Sequence, residues 1–414
     1  MGTGARRVMP TNPAFAFSPL QDELLVTALR RDGGTARRWS ALRGRYSLDE
    51  ILDRKPRRLL PLVEDGVRRE QAPADLVDRA VLRDAYDVSA REHEARIAWF
   101  GPVVDRLRTA GVELVVLKGV ALALTYYETP ALRPMVDVDI LIHPRDIDVT
   151  MRTLDAAGWT PRAPLAQDHV RRRREVDYRG PCGEKLDVHW HLHPAFMRPG
   201  DGMIDDEPFF ARATPLAVGN AATTMLDPTD LFLHVLVHGA STGWRTHPLW
   251  APDAVTIIQR GPELDGDRFV AQVLDANVAL PVVEALSYLE RRLDVVPRFT
   301  GALDPLAELI PRAHRLRLRQ RRMYAQIAYG WKAPTWLRRT LGPFASTYHY
   351  WAIQSVTWPS SRAVREFPGW LADTWGVEGP SDLPGAAWDR LRRRTEGAAD
   401  PGAVGTVGGG PNTD

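Results

Sequence analysis

The sequence of 414 residues contains a single cysteine, Cys182. One thiol excludes both an internal disulfide and a metal site built from several thiolates, so a reducing cytoplasm is the predicted compartment. No uninterrupted apolar run reaches the length that spans a bilayer, and the N-terminal segment has arginines but lacks the apolar stretch of a secretory signal. We therefore expect neither a transmembrane segment nor a membrane anchor.

Two common phosphate-handling motifs are also missing from the chain. No G-x-x-x-x-G-K-[ST] sequence is present, which excludes a P-loop enzyme. Lys118 follows an apolar run, as the lysine of a protein kinase does, but no glycine-rich loop precedes it and neither H-R-D nor D-F-G follows it. The net charge is only +2, so the molecule as a whole does not indicate a polyanionic partner.

The composition that is present fits a globular protein with a sizeable core. Hydrophobic residues make up 44% of the chain, and 13 tryptophans add bulk. The length predicts two or three domain-sized units, or one domain with large helical additions. Residues 1–94 are predicted to be mainly helical, with a helix start at Ser18 and Pro19. A further helix is predicted to end near Ala110, with Pro102 as a kink or a restart inside it.

The pattern changes to short β-rich runs after that helix. Three runs alternate or are rich in β-branched residues and predict strands at 112–117, 136–142 and 185–193. Helical patterns separate them, so we predict an α+β fold with a small mixed sheet flanked by N-terminal and C-terminal helical regions. The predicted divisions are a helical region at 1–94, a core at 95–222, a C-terminal helical domain at 223–394 and a glycine-rich, disordered tail at 395–414.

Two carboxylates lie inside the second predicted strand, in the segment RPMVDVDILI. Side chains alternate along a strand, so Asp137 and Asp139 share one face. Two anions so close repel each other, and a hard divalent cation such as Mg²⁺ relieves the repulsion. Asp187 lies in the third predicted strand, and Lys118-Gly119 forms a strand-to-helix junction of the kind that binds phosphates. The alternative is that the paired acids are simply solvated at a strand end.

These residues fall in segments that resemble a known family. VLKGVALALTYYETPALRPMVDVDILIHPRDI, followed later by LDVHWHL, resembles an uncharacterised bacterial nucleotidyltransferase family with the motifs L-K-G, R-P-x-x-D-x-D-[IL]-L-[IV] and D-[LV]-H-W. That family is placed in the DNA polymerase β-like superfamily, and the resemblance covers about residues 95–260. The first motif reads Lys-Gly-Val here, whereas Gly-Ser is usual in the wider superfamily.

The resemblance implies a fold, an activity and a set of roles. Asp137, Asp139 and Asp187 would be the catalytic carboxylates and would hold Mg²⁺ or Mn²⁺, while Lys118 and Gly119 would bind the nucleotide phosphates. The implied reaction moves a nucleoside monophosphate from an NTP to an acceptor, which could be a small molecule, a peptide natural product or RNA. The alternative is a non-catalytic nucleotide- or RNA-binding module that has kept the fold.

Histidines near the third carboxylate permit a second metal hypothesis. His189, His191 and His193 alternate with apolar residues and could bind zinc. The favoured interpretation makes His189 a hydrogen-bonding partner of Asp187 or of a phosphate. His234 and His238 are spaced for one face of a helix, and packing against the sheet is favoured over metal binding because no acid follows the first histidine.

Basic residues suggest further contacts with anions. Arg133 precedes the paired acids by four residues and could meet a γ-phosphate or pair with an aspartate. The run of four arginines at 171–174 could steer an anionic substrate. Residues 309–365 contain no Asp or Glu and interleave arginines with aromatic residues. That region could form the core and surface of a helical domain, bind nucleic acid, or receive a peptide or a membrane surface.

Overall fold

The structure is a computed structural model that describes eight continuous segments and four isolated positions of the chain. The segments are residues 17–53, 56–73, 76–162, 175–192, 206–241, 248–276, 278–300 and 379–395. Those up to residue 300 belong to one compact unit, and the last segment belongs to a second. None of the described helices is long and apolar enough to cross a bilayer.

Helices build the N-terminal part of the first unit. They are α1 (Pro19–Leu29), α2 (Thr35–Arg43), α3 (Leu48–Leu52), α4 (Leu60–Arg69) and α5 (Arg79–Thr109), with a 3₁₀ turn at Pro56–Leu59 before α4. The predicted start of α1 is confirmed, since the Ser18 hydroxyl accepts a hydrogen bond from the Gln21 amide and the Gln21 side chain accepts one from the Ser18 amide. This reciprocal capping satisfies two amides that have no partner inside the helix.

Helix α5 is continuous over 31 residues, so the restart predicted at Pro102 does not occur. Pro102 is exposed, while Phe100, Val104 and Leu107 on the opposite stripe are fully buried against the sheet. The buried stripe runs past the proline on both sides, and its packing outweighs the one backbone hydrogen bond that proline cannot make. The predicted end near Ala110 is confirmed.

A seven-stranded mixed sheet forms the centre of the first unit. Its strands are β1 (Leu114–Val116), β2 (Val138–Ile142), β3 (Thr160–Pro161), β4 (Glu175–Arg179), β5 (Lys185–His189), β6 (Thr214–Val218) and β7 (Ala221–Met225). The spatial order is β3-β4-β5-β2-β1-β7-β6. Strand β2 is parallel to β5 and antiparallel to β1, and β1 is parallel to β7. The expected α+β class, a mixed sheet flanked by helices, is confirmed.

The three predicted strands exist but are shorter than predicted, and four further strands were not predicted. The third strand was predicted at 185–193 but ends at His189, because its pairing with β4 and β2 ends there. The next residue, Trp190, is fully buried and lies in a bend. The sheet extends to Met225 because β7 joins it beside β1.

One face of β2, β5 and β4 is apolar and the other carries charged side chains. The buried apolar residues alternate along the three strands and are Val138, Ile140, Ile142, Leu186, Val188, Val176 and Tyr178. The charged side chains occupy the alternate positions, so strand periodicity alone places the acids of the three strands on a common face.

Helices cover the sheet and continue towards the C-terminus. They are α6 (Lys118–Thr125), α7 (Ile147–Ala156), α8 (Glu207–Arg212), α9 (Pro228–Ser241), α10 (Trp250–Arg260), α11 (Gly266–Asp275) and α12 (Ala279–Tyr288), with α13 (Leu383–Thr395) in the second unit. A two-stranded parallel pair joins β8 (Leu264–Asp265) to β9 (Phe299–Thr300). Asp227 precedes α9, and its carboxylate accepts the Thr229 and Asp230 amides at 3.0 and 3.1 Å, which satisfies two amides of the first turn.

Candidate functional site

Three carboxylates lie in a row across three neighbouring strands. Asp139 of β2 is in register with Asp187 of β5, and Asp187 is in register with Asp177 of β4. Directly paired residues point to the same face of a sheet, so the three side chains line one surface. Asp137 lies immediately before β2 and, two residues from Asp139, extends this group. The pairing therefore brings together the three aspartates selected from the sequence and adds a fourth.

The start of α6 reaches the same surface from the other side of β2. The Lys118 ammonium lies 2.9 Å from Oδ1 of Asp139 and 3.0 Å from Nε2 of His238 on α9. The backbone amide of Leu117 donates to the carbonyl of Asp139 at 2.9 Å, which fixes the strand-to-helix junction against β2. His238 thus contacts the candidate phosphate-binding lysine at the start of α6, and the packing of its helix against the sheet stays a prediction.

His189 contacts acids on two strands, and neither of them is Asp187, the partner predicted for it. Its Nε2 lies 3.2 Å from Oδ1 of Asp139, and its Nδ1 lies 3.0 Å from Oε2 of Glu175. His191 turns away, with Nδ1 2.7 Å from Oδ2 of Asp206. His193 lies outside the described residues, and no group of three or more His, Cys, Asp or Glu among the described residues is arranged to hold a metal ion. Zinc binding by the histidine row gains no support from these contacts.

The charges of the site shift its protonation equilibria strongly. Burial, together with nearby carboxylates of which Asp139 acts most strongly, raises the pKa of Asp187 to about 9. Burial also acts to raise the pKa of Asp139, but Lys118 and His189 outweigh it and hold that pKa well below its usual range. Burial and Glu175 raise the pKa of Asp177. The site thus combines one firmly ionised carboxylate with two that resist ionisation.

The two cations beside Asp139 are stabilised in their charged forms. Burial acts to lower the pKa of Lys118, but Asp139 and Asp137 outweigh it and raise that pKa. Burial also acts to lower the pKa of His189, but Glu175 and Asp139 outweigh it and raise the pKa to about 9. At neutral pH both groups are positively charged, so Asp139 is neutralised from two directions.

Arg133 is committed to a buried ion pair. Its Nε and Nη2 donate to the two carboxylate oxygens of Asp253 on α10 at 2.7 and 2.8 Å, and the Tyr127 hydroxyl donates to the same carboxylate at 2.7 Å. Of the two roles predicted for Arg133, the structure shows pairing with an aspartate, Asp253. This network anchors the segment that leads into the paired acids of β2.

The glycine at the start of α6 is not required by the packing of the protein itself. A Cβ added to Gly119 would meet the Met135 sulfur at 3.5 Å, an ordinary contact distance. The space beside this backbone amide is therefore wide enough for a small side chain, and any need for glycine comes from a bound molecule.

Several charged residues near the site were not selected from the sequence. Asp177 and Glu175 lie on β4. Its sequence E-V-D-Y-R alternates as a strand does, but that strand was not predicted because an arginine run directly precedes it. Arg58, in the turn before α4, interacts electrostatically with Asp137. Nothing in the local sequence around Arg58 marks it, because only the folded chain brings that turn near β2. The arginine run at 171–174 and the basic aromatic region at 309–365 both lie outside the described residues.

A divalent cation suits the carboxylate row in donor type and in charge. The donors are hard carboxylate oxygens, which Mg²⁺ and Mn²⁺ prefer. The raised pKa of Asp187, caused by burial and by Asp139 and Asp137, shows that negative charge is crowded here beyond what the two neighbouring cations offset. A cation would relieve that crowding, so these residues fit the group in donor type and charge, although no three acids or histidines of the described residues are already arranged around a metal position.

Comparison with known proteins identifies one family. A family model described as an uncharacterised nucleotidyltransferase matches residues 55–294, more than half of the chain. A crystal structure of an antigenic nucleotidyltransferase-like protein from Paracoccidioides brasiliensis aligns with 50% of this chain and 96% of its own, at 17% identity and a TM-score of 0.34. At that score the likeness supports no conclusion about fold or activity. No curated protein sequence matches the chain.

Proposed function

Because the chain belongs to the uncharacterised nucleotidyltransferase family, we propose that it transfers a nucleoside monophosphate from an NTP to an acceptor and releases pyrophosphate. The observation that carries the proposal is the strand register that sets Asp139 directly beside Asp187. Two carboxylates on adjacent strands, with Lys118 at a helix start next to them, supply what phosphoryl transfer needs, namely charge neutralisation and a base.

The carboxylates of the row would hold the metal ions of the reaction. In this proposal Asp137, Asp139 and Asp187 bind Mg²⁺ or Mn²⁺, and the bound cation would neutralise the charge of the triphosphate during transfer. Lys118 adds a positive charge beside Asp139, where the phosphates of the NTP would lie. Gly119 lies in the first turn of α6, where the amides of a helix start favour a phosphate.

Asp187 is the candidate group for the acceptor. A cation bound at the row would favour the ionised form of Asp187, whose carboxylate would then orient the acceptor hydroxyl and accept its proton as that oxygen bonds to the α-phosphorus and the bond to pyrophosphate breaks. The acceptor is a small molecule, a peptide or RNA, and the size of a labelled product distinguishes these classes. His189 contacts the same Asp139 oxygen as Lys118 and so helps to fix the orientation of that carboxylate.

Labelled transfer tests the proposal directly. Purified protein is incubated with each α-³²P-labelled NTP, Mg²⁺ and whole-cell extract, beside a variant carrying Asp137→Ala and Asp139→Ala. Asp148→Ala is the matched control, because Asp148 is exposed on α7, near the same strand. We expect label on an acceptor with the wild type and with the control but not with the double variant. Equal transfer by the double variant would contradict the assignment.

One observation favours a second candidate, a module that binds nucleotides without turnover. Lys118 and His189 already contact Oδ1 of Asp139, and so the carboxylate is satisfied without a metal ion. The two functions differ in a simple measurement. A binding module would bind NTP with equal affinity in Mg²⁺ and in EDTA and would transfer no label, whereas a transferase would need the cation for both.

A further inference from the structure

A row of basic side chains lies next to the carboxylate row. Lys185 of β5 is in register with Arg179 of β4, and each lies two residues before or after an aspartate of its own strand. Residues two apart share a face and are separated by about 7 Å. The same surface therefore carries Asp187 and Asp177 in one row and Lys185 and Arg179 in the adjacent row.

These two basic side chains make no close ion pair within the described part of the chain. Both are half-buried, and neither makes an ion pair or a side-chain hydrogen bond with any residue that the structure describes. Lys185 and Arg179 are partly shielded from water and lie opposite each other on paired strands. Their positive charges therefore repel each other. Asp137 and Asp187 attract Lys185, while Arg179 and Arg58 repel it, so a further anion would stabilise the group.

Arg58 adds a third positive charge from outside the sheet. It is half-buried in the turn before α4 and interacts electrostatically with both Asp137 and Lys185. Burial lowers the pKa of Arg58 to about 10, and the attraction of Asp137 only partly offsets this. Arg133, also close by, is occupied by Asp253. Arg58, Lys185 and Arg179 thus come from three separate elements to one end of the carboxylate row.

We infer that Arg58, Lys185 and Arg179 form a polyphosphate subsite that binds the terminal phosphates of the NTP. This inference rests on the proposed function and adds a second set of phosphate contacts to Lys118 and Gly119. A triphosphate bound at the carboxylates carries several negative charges over a length comparable with the spacing of the two rows. A guanidinium group can donate two parallel hydrogen bonds to two phosphate oxygens, and a lysine adds a compact positive charge.

Calorimetric titration without any acceptor tests the subsite. The full-length protein is titrated in Mg²⁺ with inorganic triphosphate, with ATP and with AMP, as the wild type and as Lys185→Gln, Arg179→Gln and Arg58→Gln. The control is Arg57→Gln, since Arg57 is exposed on the same turn as Arg58. We expect each subsite variant to bind triphosphate and ATP about 10-fold more weakly, because each removes one charge-assisted hydrogen bond. AMP binding and the control should be unchanged, and Lys185→Arg should restore most of the affinity.

The outcomes separate failure of the subsite from failure of the proposed function. Wild-type affinity for triphosphate in Lys185→Gln and Arg179→Gln, with wild-type melting temperatures, would overturn the subsite and leave the transferase proposal intact. An equal loss of AMP affinity would also overturn it, because AMP lacks the terminal phosphates. A wild type that binds neither ATP nor triphosphate would overturn both proposals. If Arg58→Gln does not fold, the two strand variants decide the result.

Discussion

At the scale of single residues, the oxygen of Asp139 is the most heavily contacted point of the site. Oδ1 of Asp139 contacts both Lys118 and His189, and the Asp139 side chain is only 2% exposed. We expect Asp139→Asn to reduce labelled transfer by about 10²- to 10³-fold, since removing a preorganised charge from a phosphoryl-transfer site has effects of that size. Circular dichroism should show an unchanged fold, and Asp148→Asn should keep wild-type transfer. Turnover retained by Asp139→Asn would contradict its assigned role.

A buried histidine on α5 predicts how stability depends on pH. His93 is 5% exposed, and neither ring nitrogen has a hydrogen-bond partner within the described residues. Burial, with the nearby charge of Arg96, lowers the pKa of His93 from 6.5 to about 4. A lowered pKa means that the folded protein disfavours the proton, so the stabilisation present above pH 6.5 is lost as the pH falls towards 4.

Denaturation at several pH values measures this effect. Between pH 6.5 and 4 the wild type should lose on the order of 3 kcal/mol of unfolding free energy through this group. His93→Gln should show a flatter profile over the same interval, whereas Arg91→Gln, exposed on the same helix, should follow the wild type. Parallel profiles for His93→Gln and the wild type would contradict the prediction.

The sequence predicts which aspartates the fold brings together, but it does not predict which residues contact the charged side chains around them. Asp137, Asp139 and Asp187 were identified because paired acids in an apolar strand are costly unless they have a purpose. The partner of Arg133, however, is Asp253, 120 residues further on. No local sequence pattern predicts such a pair, because the two residues are far apart in the chain. Only the fold brings α10 against the segment before β2.

At the scale of secondary-structure elements, the ion pair between Arg133 and Asp253 joins α10 to the segment leading into β2. The two side chains are 10% and 4% exposed, so removing one charge leaves the other buried without a partner. We expect Asp253→Asn to lower the free energy of unfolding by about 3–5 kcal/mol. Chemical denaturation measures this change.

A second ion pair on the same helix serves as the control. Arg260 of α10 pairs with Glu128, and these side chains are 35% and 51% exposed. Glu128→Gln should therefore cost less than about 1 kcal/mol. Equal losses for the buried and the exposed pair would show that the first does not anchor the segment.

Strands with strong β patterns were predicted and weak ones were missed. The runs that form β1, β2 and β5 are rich in valine, leucine and isoleucine. By contrast, β7 is the sequence AATTM and β6 contains a proline, so neither resembles a strand from propensity alone. Both become strands because β1 offers an unpaired edge to β7, and β6 pairs with β7.

At the scale of the whole molecule, the first unit contains the complete described sheet and the helices that cover it. We expect a chain truncated after residue 322 to fold and to bind ATP, because its described core lies within that unit. A single cooperative thermal transition, with ATP affinity close to that of the full chain, would agree with this expectation. A broad transition without ATP binding would contradict it.

The parallel pairing of β1 with β7 has a consequence for synthesis of the chain on the ribosome. The two strands are joined through residues 109 positions apart, such as Leu114 and Thr223. At about 5–20 residues per second, translation takes roughly 5 to 20 seconds to deliver the second strand after the first. During that interval the nascent chain carries β1 with the edge that β7 later covers still open. Chaperone binding should therefore peak on nascent chains from which β1 has emerged and β7 has not, and fall once β7 emerges.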